Sequence, residues 1–138
     1  MSTVASGKKK PLFTGGCLCG AIRFEAKGAP RKPHTCSCMT CQRHSGALTL
    51  AWVEFDKDVI AWTGPGGTPS VYRSSDYSSR AFCPACGSSI GAIDDAPVVA
   101  LLLGILDKTN SADLIPAVHS YRSARPKWWH VEAVKPAT

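Results

Sequence analysis

The sequence predicts an all-β domain, and three observations predict it. Apolar residues alternate with polar ones in short runs, and glycine and proline interrupt those runs at close intervals. No apolar pattern at helical spacing lasts longer than about two turns. The 138 residues include 12 glycines and 10 prolines, so breakers are plentiful. The length suits one domain, and 44% hydrophobic residues are enough to fill a single core. Charged residues make up only 19%, which excludes a disordered polyelectrolyte.

Residues 1–11 read as a tail, residues 12–134 as the folded domain and residues 135–138 as a short C-terminal tail. The stretch from Met1 to Lys10 lacks the apolar run of a secretory signal. Ala21 to Ala26 sets Ile22 and Phe24 against Arg23 and Glu25, the alternation of a half-buried strand. Leu48 to Phe55 and Val59 to Thr63 read as strands joined by the polar turn Asp56–Lys57–Asp58. Gly64–Pro65–Gly66–Gly67 reads as a hairpin turn leading into a strand over Ser70 to Arg73. It lacks the Lys and Ser/Thr that follow a phosphate-binding loop. Arg80 to Cys83, Ser89 to Ile93, Val98 to Leu106 and Ile115 to Tyr121 complete the strands, and Thr40 to His44 forms one short helical turn. Val98 to Leu106 is the longest apolar run and roughly half the length a bilayer requires, so it is expected to be a buried strand and not a membrane span.

The formal charge is +6, but Lys8, Lys9 and Lys10 sit in the tail and the other basic residues are scattered. Nucleic-acid modules gather their basic residues on one element and interleave aromatics, so nucleic acid is not the expected partner. A mild positive field favours a small anionic substrate instead. Seven cysteines is an odd number, which would leave a thiol over from any disulfide framework. In a reducing compartment that density points to metal, and a soluble cytoplasmic protein is expected.

The cysteines form three groups: Cys17-x-Cys19, Cys36-x-Cys38-x-x-Cys41 and Cys83-x-x-Cys86. Zinc takes four tetrahedral ligands and favours thiolate, and a two-residue gap lets one turn present two sulfurs to one ion. In Cys83–Pro84–Ala85–Cys86–Gly87 the proline stiffens that turn and Gly87 allows a left-handed conformation after it. Cys17 and Cys19 form the remaining isolated pair, so joining them to Cys83 and Cys86 completes a closed structural zinc site. Cys36, Cys38 and Cys41 then form a second zinc site. With three protein ligands it is either open, as catalytic zinc sites are, or closed by His34 or His44. A redox pair at Cys38 and Cys41 would need a surrounding βαβ pattern, which the sequence lacks.

Three segments, GGCLCGAIRF, CSCMTCQRHSG and FCPACGSSI, resemble the glutathione-dependent formaldehyde-activating enzyme family, which includes the centromere protein V relatives. The resemblance runs from about Gly15 to Trp129 and takes in all seven cysteines and the closing stretch Pro116 to Tyr121 with Trp128. It implies an all-β arrangement called a β-tent, and the same division into a structural and a catalytic zinc site. It also implies a carbon–sulfur lyase that condenses glutathione with formaldehyde to S-hydroxymethylglutathione, with Cys36, Cys38 and Cys41 holding the catalytic zinc. Under that implication Arg43, Arg23 and Arg122 are candidates to bind the glutathione carboxylates and to offset the charge of the sulfurs. Each is otherwise an ordinary surface arginine. His119 either orients substrate or moves a proton, or is a hydrogen-bonded strand histidine. Ser37 and Gln42 stand where the family often carries a histidine or asparagine and a basic residue, and both are expected to alter the rim of the substrate pocket. The rival from another class is a non-catalytic, zinc-stabilised module that binds a macromolecule, for which no vacant zinc position is needed.

Overall fold

The computed structural model describes residues 10–133. The expected N-terminal tail falls almost wholly outside that range, and the expected tail at residues 135–138 falls wholly outside it. Within it the fold is all-β, as the alternating runs predict. The strands are β1 (Leu12–Gly16), β2 (Arg23–Lys27), β3 (Arg31–Cys36), β4 (Leu50–Asp56) and β5 (Ile60–Trp62). They continue with β6 (Ser70–Arg73), β7 (Ser78–Phe82), β8 (Ser89–Asp94), β9 (Val98–Leu102) and β10 (Val118–Ser120). One α-helix, α1 (Met39–Ser45), follows β3.

Two sheets result. The larger has seven strands in the order β10-β3-β4-β9-β8-β7-β6, and the smaller has three in the order β1-β2-β5. All pairings are antiparallel except β10 on β3. Successive side chains on a strand point to opposite faces, so each strand of the large sheet divides its residues between two environments. Val53, Phe55, Ala81, Val99 and Leu101 are buried with Phe24 and Ala26 of the small sheet, and with Ile22 just before it, in the main core. The alternate residues Trp52, Ala92 and Leu102 pack instead with Cys36 and Cys41 in a second, smaller cluster. Phe13 meets Phe55 at 5.7 Å between ring centroids, and Phe24 meets the edge of Trp62 at 6.2 Å, so aromatic contacts add to the burial.

Several expected boundaries are corrected. The strand expected over Val98 to Leu106 stops at Leu102 and becomes a 3-10 turn, Leu103–Ile105. The chain there leaves the large sheet for the small one, where Leu106 bridges Gly15 and Asp107 N–H donates to the Thr14 carbonyl at 2.8 Å. Gly64 to Gly67 is a tight turn but not a hairpin, because β5 and β6 belong to different sheets. The same holds for the Asp56 to Asp58 turn, where a 3-10 helix, Lys57–Val59, carries the chain from β4 to β5. Ile115 to Tyr121 yields only three strand residues, ended by Tyr121 in the left-handed region at φ 54°. β3 is absent from the sequence reading because Pro33 and the bulge between Arg31 and His34 break its alternation.

Candidate metal centre

Two groups of cysteine sulfurs converge, each with its ligand atoms within 4.8 Å of one another: Cys17, Cys19, Cys83 and Cys86, and Cys36, Cys38 and Cys41. All seven are free thiols. In the first group Cys17 and Cys19 follow β1 while Cys83 and Cys86 follow β7, so the site joins the two sheets. The Cys17 and Cys19 sulfurs are 3.6 Å apart, and those of Cys19 and Cys83 3.8 Å. Four sulfurs placed about 2.3 Å from a tetrahedral zinc would lie roughly 3.8 Å from one another, so this donor set fits the ion. Ile22 N–H donates to the Cys17 sulfur at 3.2 Å. The Ser88 hydroxyl accepts from Leu18 N–H at 3.0 Å and lies 3.1 Å from the Cys86 sulfur. That hydroxyl and the Ser88 N–H bring the Cys86 thiol down to about 5, toward the thiolate that a metal requires. Gly87 takes φ +79° and returns its N–H to the Cys83 carbonyl at 2.8 Å, the left-handed turn expected there.

The second group comes from one short stretch of chain. Cys36 ends β3, Cys38 caps α1, and Cys41 lies in the first turn of that helix. The Cys38 sulfur accepts from Cys41 N–H at 3.3 Å, and the Cys36 sulfur from Cys38 N–H at 3.5 Å. Gly46, at φ 77°, ends the helix by donating to the Gln42 carbonyl. Three convergent thiols with backbone donors suit zinc as well as the first group does. Among the described residues no fourth His, Cys, Asp or Glu joins them within that distance. His34 donates Nδ1 to the Lys32 carbonyl at 2.6 Å, and the His44 ring nitrogens are buried, with burial first and Arg80 second lowering the pKa. The arrangement is therefore three sulfurs beside open space, not four ligands.

That space is a cleft of about 360 Å³ on the face of the large sheet away from the main core. Register builds its floor. Glu54 pairs with Ala100, Ala100 with Ala92, and Ala92 with Arg80, so two alanines leave a hollow between longer side chains. Trp52, Asp94 and Tyr121 also line it. Arg80 crosses to the sulfurs, with Nη1 3.6 Å and Nη2 3.8 Å from Cys41 Sγ and its guanidinium 5.1 Å from the Trp52 ring centroid. Cys36, then Cys38 and Arg80, bring the Cys41 thiol down to about 5 against the opposing effect of burial. Cys41 and burial in turn push Cys36 up.

The profile of the glutathione-dependent formaldehyde-activating enzymes (GFA) matches residues 12–124. The chain belongs to that family. Among curated proteins it is 30% identical over 80 residues to an uncharacterised lyase of Schizosaccharomyces pombe, covering 58% of this chain. The match spans 56% of that protein, so this chain corresponds to little more than half its length. A crystal structure of a Rhodobacter sphaeroides protein superposes with a TM-score of 0.56 at 19% identity, over 78% of this chain and 99% of that one, a likeness of fold alone.

Of the side chains expected at the second site of this GFA protein, the three cysteines and His34 line the main cleft, and Arg23, Arg43, Arg122 and His119 do not. Arg23 forms a two-pronged ion pair with Asp107, at 3.1 and 2.6 Å, on the side of the four-cysteine group. Arg43 lines a second cleft of about 480 Å³ with Met39, Tyr72 and Phe82. Arg122 lies with His119 in a smaller cleft behind β3. His119 is a hydrogen-bonded strand histidine: its Nε2 is 2.7 Å from the Ser37 hydroxyl, which is 2.8 Å from Thr49, to which Trp129 Nε1 donates at 2.9 Å. Burial, then Arg122 and Arg125, lower its pKa. Ser37 and Gln42 are not at the rim. Ser37 is fully buried, and Gln42 donates to the Ser37 and Ala124 carbonyls at 2.8 and 3.2 Å, tying the C-terminal segment to the cysteine loop. Sequence reasoning missed Arg80, Trp52, Glu54 and Asp94. For Arg80 a weak signal existed, since strand alternation places it on the face opposite Ala81.

Proposed function

We propose that this GFA-family protein is a zinc-dependent carbon–sulfur lyase that joins a thiol, glutathione or one like it, to formaldehyde or a related small aldehyde. The observation that carries this reading is the three-sulfur group opening onto a cleft with no fourth protein ligand among the described residues. Cys36, Cys38 and Cys41 would hold the ion. When bound, zinc supplies a Lewis acid beside which an incoming thiol is held as thiolate at neutral pH.

The chain's own residues do the rest. The cleft admits a peptide-sized thiol and keeps its sulfur end beside the three cysteines. Glu54 and Asp94 offer carboxylates to an ammonium group such as the one on the γ-glutamyl end of glutathione. The substrate sulfur attacks the aldehyde carbon and forms the C–S bond. The carbonyl π pair passes to oxygen, which takes a proton from water, and the proton lost by the thiol returns to water. Thiol and aldehyde thus combine with nothing left over. Because this chain covers little more than half of its lyase relative, the reaction and its cytoplasmic setting belong to the proposal.

The test is the rate at which glutathione and 13C-formaldehyde exchange with their adduct, followed by NMR. Protein carrying two zinc ions should raise that rate well above the uncatalysed one, and Cys41→Ser should abolish the gain. No rate enhancement by the fully loaded protein overturns the proposal.

A further inference from the structure

Three thiolates around a divalent zinc make a singly negative centre, and a fourth thiolate makes it doubly negative. Such a centre holds an incoming sulfur weakly unless a cation stands close. Of the two cysteine groups, only the second has a cationic side chain within hydrogen-bonding distance of a sulfur among the described residues. That residue is Arg80. Strand β7 points it to the cleft face, and Trp52 supports the flat side of the guanidinium while both terminal nitrogens face Cys41 Sγ. Its charge is not spent elsewhere, since the ion pairs among the described residues are Arg23–Asp107, Arg31–Asp56 and Arg73–Asp95.

We propose that Arg80 is a positioning residue that draws electron density from the Cys41 sulfur and so allows the three-cysteine centre to take up a fourth, anionic sulfur. An arginine suits this role better than a lysine. Its charge is permanent, its planar fork places two N–H groups against one sulfur, and it stacks on an aromatic ring. A hydrogen bond to a thiolate lowers the energy of the sulfur lone pair. The bonded sulfur then gives less charge to the metal, and the centre has more left to accept from a new ligand. The inference rests on the metal reading of Cys36, Cys38 and Cys41 and on a thiol as fourth ligand, but not on which aldehyde reacts.

The experiment uses the full chain with cobalt(II) at both sites, with the Cys41→Ser spectrum subtracted to isolate the second centre. In Arg80→Met the sulfur-to-cobalt charge-transfer bands should move to lower energy, because the lone pair is no longer held down. 2-Mercaptoethanol, which has no carboxylate for an arginine to bind, should bind about tenfold more weakly, the low end of the range for losing a charged hydrogen-bonding partner. Unchanged bands and unchanged thiol affinity in folded Arg80→Met overturn the proposal. If Arg80→Met does not fold, Arg80→Lys decides. A smaller shift in the same direction supports the proposal, and a spectrum identical to wild type overturns it. If wild-type protein binds no thiol, this proposal and the lyase reading both fall; if it binds thiol but does not speed adduct exchange, the lyase reading fails alone and the proposal stands on the band shift and the affinity.

Discussion

Cys19 and Cys83 are 64 residues apart and bring their sulfurs within 3.8 Å, whereas Cys36, Cys38 and Cys41 come from one strand end and the helix after it. The first group closes a long loop and ties the small sheet to the large one, with Cys17 and Cys83 embedded in the main core. The second group closes only a local loop and shares a small cluster with Trp52, Ala92 and Leu102, beside the cleft. Long-range closure removes more freedom from the unfolded chain than local closure does, by about 2 kcal/mol for a roughly tenfold longer loop. The same thiol chemistry is therefore placed to serve stability in one position and, on the proposed reading, to leave a reactive face in the other.

The largest effect is expected from Cys83→Ser. It leaves a metal site short of a sulfur at a fully buried position, and binding energy there is folding energy. We expect a loss of more than about 3 kcal/mol, read by thermal or urea denaturation, out of a total near 5–15 kcal/mol. An unchanged melting temperature would break the contrast. Cys41→Ser should lower stability by only about 1 kcal/mol while metal content falls from two ions to one. If it unfolds the chain as Cys83→Ser does, the two groups are not different in kind.

Ala100→Leu sharpens the contrast from the side of the cleft. A larger side chain on the floor should weaken glutathione binding roughly tenfold by titration calorimetry, with both metals and the melting temperature nearly unchanged. Full affinity would mean that substrate enters by the second cleft, past Arg43. The smallest effect is expected at Asp107→Asn, which breaks the half-exposed pair with Arg23 near the four-cysteine group and should lower stability by less than about 1 kcal/mol. Arg23, then Thr14, depress the Asp107 pKa to about 2 from an ordinary 3.8, so the pair stabilises the fold above the ordinary value. That contribution shrinks as pH falls below 3.8 and is lost as pH passes through about 2, so the difference between wild type and Asp107→Asn should shrink over that range. A difference that does not shrink would assign the effect to packing.

Both cysteine groups were legible in the sequence because the spacing of each short motif is a property of one turn. The Cys83-x-x-Cys86 gap and Gly87 describe a knuckle before any tertiary contact is known. The strand Arg23–Lys27 was legible for a similar reason, since the buried Phe24 and Ala26 impose a period of two on the residues themselves. β3 was not, because a bulge and Pro33 erase that period. Arg43 misled because it is near Cys41 in sequence, yet two residues along a helix turn a side chain by roughly 200°. It consequently faces a different cleft.

From sequence alone came the β class, the grouping of the seven cysteines into four and three, and the family resemblance. Only the tertiary structure showed that no fourth protein ligand joins the three-sulfur group among the described residues, that Arg23 is engaged with Asp107, and that Arg80 meets Cys41 from 39 residues away. Ligand spacing is written along the chain because one turn sets it. The surroundings of the three-sulfur group are set by strand register across the large sheet, and register depends on which strands pair.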